Sequence, residues 1–503
     1  MLFVELRFLL FFLIAFSVHW AIPGNTWRKV WLLGCSHFFY ACFFIGDPGT
    51  FFENVRAGQW DKLSEGWWFP AVLWGSTIMD YIVGLGIAGS TTEGRRKTWL
   101  WVSVGLNVGV LCLFKYFNFF ITSASGFLEW FGLPASDWTL RIILPYGVSF
   151  YTFQSMSYSI DVYRRRLEPV RSFLDLAFFI SFFPQLVAGP IVRAMTFLPQ
   201  VFEKRVWARV DVRACLALFF IGFVKKACIS ENVAPIVDDF FAAPDKYDLF
   251  SSWIAVLFYA VQIYCDFSGY TDMAIATSRL LGYELTVNFN FPYFAAHITE
   301  FWRRWHISLS TWLRDYLYIS LGGNRGSKLY TYRNLMLTMV LGGLWHGASW
   351  TFVIWGGMHG LALIVHREWQ RLTENAGAGF KRFMSWIAVP LTFYWICITW
   401  VFFRAQDVKD ASGVVKKTGF EVARTVLDSF CGFDSHGSRS VAIECLWVFV
   451  ALAAIHWMSS RGMLATWWRR IPDYAFAALL GLGTAVALFF VPAKYKAFIY
   501  FQF

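Results

Sequence analysis

Five of the nine histidines in this 503-residue chain lie between residues 288 and 366: His297, His306, His346, His359 and His366. Arginine and tryptophan crowd around them in ITEFWRRWHISLSTWLRD (298–315) and LGGLWHGASWTFVIWGGMHG (341–360). An imidazole has an ordinary pKa of about 6.5, so it can accept a proton from a hydroxyl near neutral pH. Burial favours the neutral, proton-accepting form. His346 ends an apolar run, where an ionisable group is costly and is retained mainly for what it does. The residues alone leave a second reading open, a core histidine bonded to a backbone carbonyl. His306 follows Arg303 and Arg304, whose charges also favour a neutral ring, and it too could be a packed helix-face residue. Arg303, Arg304, Arg314 and Arg325 could hold phosphates or serve as cytoplasmic anchors and headgroup contacts. His359 and His366 are spaced i, i+7, but a metal would want a third ligand, so no metal site is expected. Asp266 and Asp272 could hold a histidine or an arginine, or cap helices. No nucleotide-binding glycine loop, G-x-S-x-G element or nucleic-acid motif is present.

The elements that must position these groups are membrane helices. The chain is 57% hydrophobic and 15% charged, against roughly 45–50% and about 25% in soluble domains. It carries 27 Trp, 21 Tyr and 55 Phe; interfacial belts and lipid packing use most such residues. The net charge of +11 marks cytoplasmic loops rather than nucleic-acid binding. The nine cysteines fall mostly in apolar runs without metal-ligand spacing, and read as small buried hydrophobes. The first residues do not read as a signal peptide: Glu5 offsets Arg7 and no small-residue cleavage site closes the run.

A span needs about 20 mostly apolar residues. Candidates are 3–22, 30–46, 68–89, 98–120, 141–162, 212–230, 249–267, 332–346, 348–366, 384–403, 441–459 and 474–493. Basic loops after the first, third and fifth spans (Arg28 and Lys29; Arg95 to Lys97; Arg164 to Arg166) alternate with loops holding Asp47, Glu53, Asp61, Glu65, Glu129 and Asp137. That alternation puts the basic loops inside. The run 172–192 has basic flanks on both sides and contains Pro184 and Pro190, so it reads as re-entrant. Asp266, Asp272 and Arg279 are too polar for a lipid-facing span, and Gly269 and the Asn288–Pro292 stretch break any long helix, which predicts irregular structure and short helices over 265–294 on the cytoplasmic side. Trp302, Trp305, His306, Leu309, Leu313 and Tyr316 share one face of an amphipathic helix. Gly322 to Gly326 form a turn, and Gly342, Gly343 and Gly347 allow close approach of backbones or of a thin acyl chain. Residues 404–440 read as a mixed-charge outer loop.

Seven stretches together resemble the membrane-bound O-acyltransferase family, in particular its bacterial alginate O-acetylation branch. They are LPYGVSFYTFQSMSYSIDVYR (144–164), FFPQLVAGPIVR (182–193), QIYCDFSGYTDMAIA (262–276), ITEFWRRWHISLSTWLRDYLYISLGGNRG (298–326), LGGLWHGASWTFVIWGGMHG (341–360), WVFFRAQD (400–407) and FIYFQF (498–503). The resemblance implies an all-α polytopic membrane protein: a ring of about 11–12 transmembrane helices, with re-entrant and interfacial helices, around a thin core with a tunnel. It implies one domain over 1–503, with less well matched N-terminal helices 1–140, a core 141–403 and C-terminal helices 404–503. It implies that His346, in the WHG element, is essential for acyl transfer, with His306 as the second site histidine.

An acetyl group would then pass from a cytoplasmic thioester, acetyl-CoA, with no permanently bound cofactor. It would cross the inner membrane to a periplasmic esterase-like partner and an exopolysaccharide such as alginate or cellulose. His346 would deprotonate the acceptor hydroxyl or become acylated first, and His306 would position the donor or line the tunnel. Other readings are peptidoglycan O-acetylation, teichoic acid D-alanylation, or, in another class, a small-solute transporter. A transporter would want paired halves with corresponding broken helices, which the sequence does not show.

Overall fold

The computed structural model describes residues 1–43, 53, 56, 68–133, 138–140, 144–410, 414–464, 467–492 and 499. The expectations resting on Asp47, Asp61, Glu65 and Asp137, and on most of the FIYFQF stretch, lie outside them. The described residues are overwhelmingly helical, and the chain packs as two compact units: 1–219 with 270–286, and 220–269 with 287–503.

The first unit holds α1 (Leu6–Ala21), α2 (Asn25–Ala41), α3 (Phe69–Gly89), α4 (Glu93–Leu111), α5 (Phe117–Trp130), α6 (Val148–Tyr163), α7 (Phe173–Ser181), α8 (Phe183–Leu186) and α9 (Ala194–Phe202). A π-helical segment, Cys112–Tyr116, joins α4 to α5. Buried polar contacts fix the packing of these apolar helices. Lys29 of α2 pairs with Asp175 of α7, both nearly buried. The Arg96 guanidinium of α4 donates to the carbonyls of Val162 and Tyr163 at the end of α6, at 3.4 and 2.7 Å. Asp80 of α3 accepts from Ser103 of α4 (2.7 Å) and Ser159 of α6 (3.0 Å). The 172–192 run is interrupted as its prolines require: α7 ends at Ser181, Pro184 sits in the first turn of the short α8, and Pro190 lies outside any helix.

The second unit begins within α10 (Val212–Phe223), at Phe220. It contains a π-helical segment (Val224–Ser230), α11 (Glu231–Ala242), the first part of α12 (Leu249–Leu280), α13 (Ile298–Arg304), α14 (Ile307–Trp312) and a second π-helical segment (Leu313–Tyr318). Then come α15 (Lys328–His346), α16 (Trp350–Leu372), α17 (Ala378–Arg404), the hairpin of β1 (Val408–Lys409) and β2 (Val415–Lys417), α18 (Gly419–Phe430), α19 (Cys445–Ser460) and α20 (Asp473–Leu488).

The α15–α16 hairpin is the closest pairing in this unit, and two glycines permit it. A methyl group at Gly343 would stand 2.2 Å from the Phe352 carbonyl oxygen, and one at Gly356 2.4 Å from that of Met339. The close approach expected at Gly343 and Gly347 is therefore present, between backbones and aromatic rings.

Among the described residues four helices are long and apolar enough to cross a membrane: Phe69–Gly89, the continuous stretch Glu93–Trp130, Leu249–Leu280 and Ala378–Arg404. Shorter apolar helices are Leu6–Ala21, Leu446–Ser460 and Asp473–Leu488. Large apolar side chains such as Leu6, Trp101, Trp386 and Trp447 point outward, as lipid-facing helix surfaces require.

Three expectations are corrected. The irregular structure expected from residue 265 begins only after Leu280, because α12 runs unbroken through Asp266, Asp272 and Arg279. Its polar residues face protein instead of lipid: Asp266 is 2% exposed and paired with Lys226. Gly269 does not break the helix; it admits the Gly222 carbonyl, which would lie 2.7 Å from an added methyl. The single amphipathic helix over 302–316 is in fact α13 and α14, broken at His306, although Trp305, His306, Leu309, Leu313 and Tyr316 are all buried as the wheel indicated. The 404–440 loop contains the hairpin and α18, whose start is fixed by a capping box of Thr418 and Glu421. That pattern, Thr-x-x-Glu, was readable in the sequence.

Candidate active site

The two histidines singled out by their surroundings meet in the second unit. The chain reaches His306 through α13, whose first turn is capped by His297: its Nδ1 accepts from the Glu300 amide at 3.1 Å. Glu300 also takes the Arg304 guanidinium at 2.6 Å across one turn. After Trp305 the helix breaks, and His306 adopts φ +42°, a left-handed conformation. A non-glycine residue there costs about 1–3 kcal/mol and persists only where its surroundings impose it. Asn288 imposes it. Its carbonyl accepts from the Ile307 amide at 3.0 Å, and its side-chain oxygen from the Ser308 amide at 3.1 Å. The break turns His306 away from the helical path into the core, where it is 0% exposed. The edge of Phe267 meets its ring at 4.7 Å between centroids. Burial pushes the His306 imidazole down to about 3, so it is neutral at physiological pH.

His346 is the last residue of α15 and is 3% exposed. The fully extended Gly347 ends the helix immediately after it, and an added methyl at Gly347 would lie 2.2 Å from the Phe352 ring. Trp345, Trp355 and Phe403 surround the imidazole with ring centroids at 5.0, 5.0 and 5.2 Å. The centroids of His306 and His346 are 6.4 Å apart, close enough for one small group to contact both. Water-poor aromatic walls strengthen any hydrogen bond or charge interaction formed there. The arrangement is suited to proton transfer at a hydroxyl.

The remaining candidates divide. His359 of α16 lies on the same aromatic cluster, fully buried, at 4.7 Å from Trp355 and 5.0 Å from Trp302. His366 stacks on His297 at 4.3 Å, and among the described residues no group of three or more His, Cys, Asp or Glu could hold a metal ion. Arg304 is taken by Glu300, and Arg314 by its neighbour Asp315 at 2.6 Å. Arg303 and Arg325 are exposed. Asp266 holds neither a histidine nor an arginine: it pairs with Lys226, which also binds Glu231 at 2.7 Å, and accepts from the Ile499 amide at 2.8 Å. Asp272 is half-buried. A cavity of about 670 Å³ between α1 and α2, lined by Arg7, Phe11, Trp31 and Phe38, belongs to the first unit and contains none of these histidines.

Sequence reasoning missed four contributors. Asn288 was read only as a helix breaker. Lys226 passed as part of an apolar span, although a Lys-Lys pair inside such a run is itself the signal of a buried ion pair. Trp355 and Trp400 were lost in a high background of tryptophan.

Comparison with known proteins extends the site to the whole chain. Residues 100–404, which include both site histidines, match the family model for the membrane-bound O-acyltransferase family. The chain is 41% identical over 410 residues to the probable alginate O-acetylase AlgI of Azotobacter vinelandii, covering 81% of this chain and 76% of that protein. It is 36% identical over 534 residues to the probable alginate O-acetylase AlgI of Pseudomonas putida, covering 100% of both. It is 38% identical over 414 residues to the peptidoglycan O-acetyltransferase of Helicobacter pylori, covering 77% and 73%. A buried histidine pair in a multi-pass helical protein, inside a region that matches along its length, leads to one assignment: the chain belongs to the membrane-bound O-acyltransferase family.

Proposed function

We propose that this acyltransferase moves an acetyl group from cytoplasmic acetyl-CoA, across the inner membrane, for O-acetylation of an extracellular polysaccharide such as alginate or cellulose. A periplasmic esterase-like partner completes the delivery. The observation that carries the reading is the pair His306 and His346, buried 6.4 Å apart within aromatic walls. The acceptor hydroxyl attacks the thioester carbonyl while His346 takes its proton, a role typically worth about 10²–10⁴-fold in rate. His306, neutral and fixed by the Asn288 contacts, orients the acetyl group between the two rings. The exposed guanidiniums of Arg303 and Arg325 remain available to the donor's phosphates, whereas Arg304 and Arg314 would first have to leave Glu300 and Asp315.

The relative named for peptidoglycan O-acetylation, at 38% identity, keeps a second acceptor in view. The test is acetyl transfer from radiolabelled acetyl-CoA by purified, reconstituted protein, offered alginate, cellulose oligomers or peptidoglycan fragments with the periplasmic partner. Transfer to one polymer that disappears in His346→Gln supports the reading. Failure of acetyl-CoA to label any acceptor, under conditions where another acyl thioester does, would replace the donor.

A further inference from the structure

The wall beside His346 holds more hydrogen-bond donors than packing needs. The indole Nε1 groups of Trp302 and Trp355, and both ring nitrogens of His359, are buried with no hydrogen-bond partner among the described residues, while the Trp400 indole reaches the Tyr293 hydroxyl. Trp355, His359 and Trp400 are 1%, 0% and 0% exposed. They form one connected cluster: Trp355 lies 4.7 Å from His359 and 6.1 Å from Trp400, and Trp302 5.0 Å from His359. Trp355 also meets His346 edge-on at 5.0 Å. An indole N–H can only donate, and a neutral imidazole carries one donor. Native proteins leave few buried donors unmet, because each one left so is a standing cost. Phenylalanine would pack against the same aromatic neighbours without that cost. A cluster of unmet donors against a site histidine therefore calls for an oxygen that accepts and does not donate.

Resting on the acyl-transfer reading above, we infer that Trp355 and His359 form a donor wall that binds the carbonyl oxygen of the acyl group. The acceptor hydroxyl oxygen bonds to the carbonyl carbon, and its proton passes to His346. The carbonyl π pair moves onto the oxygen, whose negative charge strengthens the hydrogen bonds from the wall. When the pair returns, the carbon–sulfur bond breaks, and the thiolate leaves with the proton held by His346. No other reactant is needed. Donors set in place before the charge develops, in a dry site, stabilise it without reorganisation.

The test uses full-length protein in lipid nanodiscs and the variants Trp355→Phe, His359→Gln and His359→Leu. The tryptophan variant keeps an aromatic ring and loses the N–H. The expected result is a fall in kcat of about 10–10²-fold, at the low end of the loss on removing one oxyanion donor, with KM little changed. His359→Gln, which keeps a donor, should retain more activity than His359→Leu. As a direct readout, a methyl-ketone analogue of acetyl-CoA labelled with ¹³C at its carbonyl should show a stretching frequency that rises when Trp355 becomes Phe. If wild-type protein transfers acetyl and binds the ketone, yet all variants match it in kcat and frequency, the donor wall is overturned while the acyltransferase reading stands. If wild type neither transfers acetyl nor binds the ketone, the thioester donor fails and the donor wall fails with it.

Discussion

His306 shows how a single backbone angle makes a site. Its left-handed φ is incompatible with a continued helix, and the two hydrogen bonds to Asn288 hold it there. Asparagine tolerates that conformation and β-branched residues do not. His306→Asn should therefore keep the fold but lose transfer, whereas His306→Val should also lower stability by about 1–3 kcal/mol, measured as thermal unfolding in detergent. A Val variant as stable as wild type would mean the angle is not imposed. His306 and His346 were both legible in the sequence, because imidazoles beside apolar runs stand out against lipid-facing composition. The bend between Trp305 and His306 was not: the apolar residues on either side keep helical spacing, so the wheel hides the break. What makes the break is Asn288, 18 residues earlier, and no local pattern announces a hydrogen bond of that range. Trp355 was illegible for a different reason, since an unmet indole N–H is visible only once its neighbours are.

At the scale of elements, the site depends on α15 and α16 lying almost backbone to backbone. Gly356→Ala would press a methyl against the Met339 carbonyl, and overpacking of this kind costs typically about 1–3 kcal/mol. The variant should melt earlier and lose activity together, because His346 ends one helix of the pair and Trp355 lies in the second turn of the other. An unchanged melting temperature would show the hairpin to be looser than described. The Lys226–Glu231–Asp266 cluster explains why α12 continues where its composition suggested irregular structure. Removing only the cation, in Lys226→Met, leaves buried carboxylates uncompensated and should destabilise by about 3–5 kcal/mol. Lys226→Met combined with Glu231→Gln and Asp266→Asn should recover much of that loss, again by thermal unfolding.

The cap of α13 is pH-sensitive. Burial holds the His297 imidazole below its ordinary value, with Glu300 opposing that shift and Arg303 adding to it. The unfolded chain therefore takes up the proton first as pH falls, and the cap's contribution, present above about pH 6.5, declines below it. Stability measured from pH 7.5 to 5 should fall more steeply in wild type than in His297→Asn, which keeps a capping oxygen that does not titrate.

At the scale of the whole molecule, the helical, lipid-facing character followed directly from long uncharged runs, and outward-pointing Trp, Leu and Phe side chains agree with it. Span counts were harder to read than span existence. α1 has only 16 residues, about 24 Å at 1.5 Å per residue, against a hydrocarbon core of about 30 Å. Hydropathy cannot distinguish such a helix from a full crossing. Alternating loop charge predicts Lys97 and Arg166 on one face of the membrane and Glu129 on the other. Single cysteines introduced there in a cysteine-depleted chain should react with an impermeant maleimide accordingly, the first two only in inverted vesicles; labelling of all three from one side would refute the orientation. The most direct measurement is acetyl transfer by reconstituted wild-type protein and His346→Gln, both shown to be folded. The expected result is label delivered from acetyl-CoA to the acceptor by wild type, reduced about 10²–10⁴-fold or more in the variant. Equal transfer by the two proteins would contradict the account.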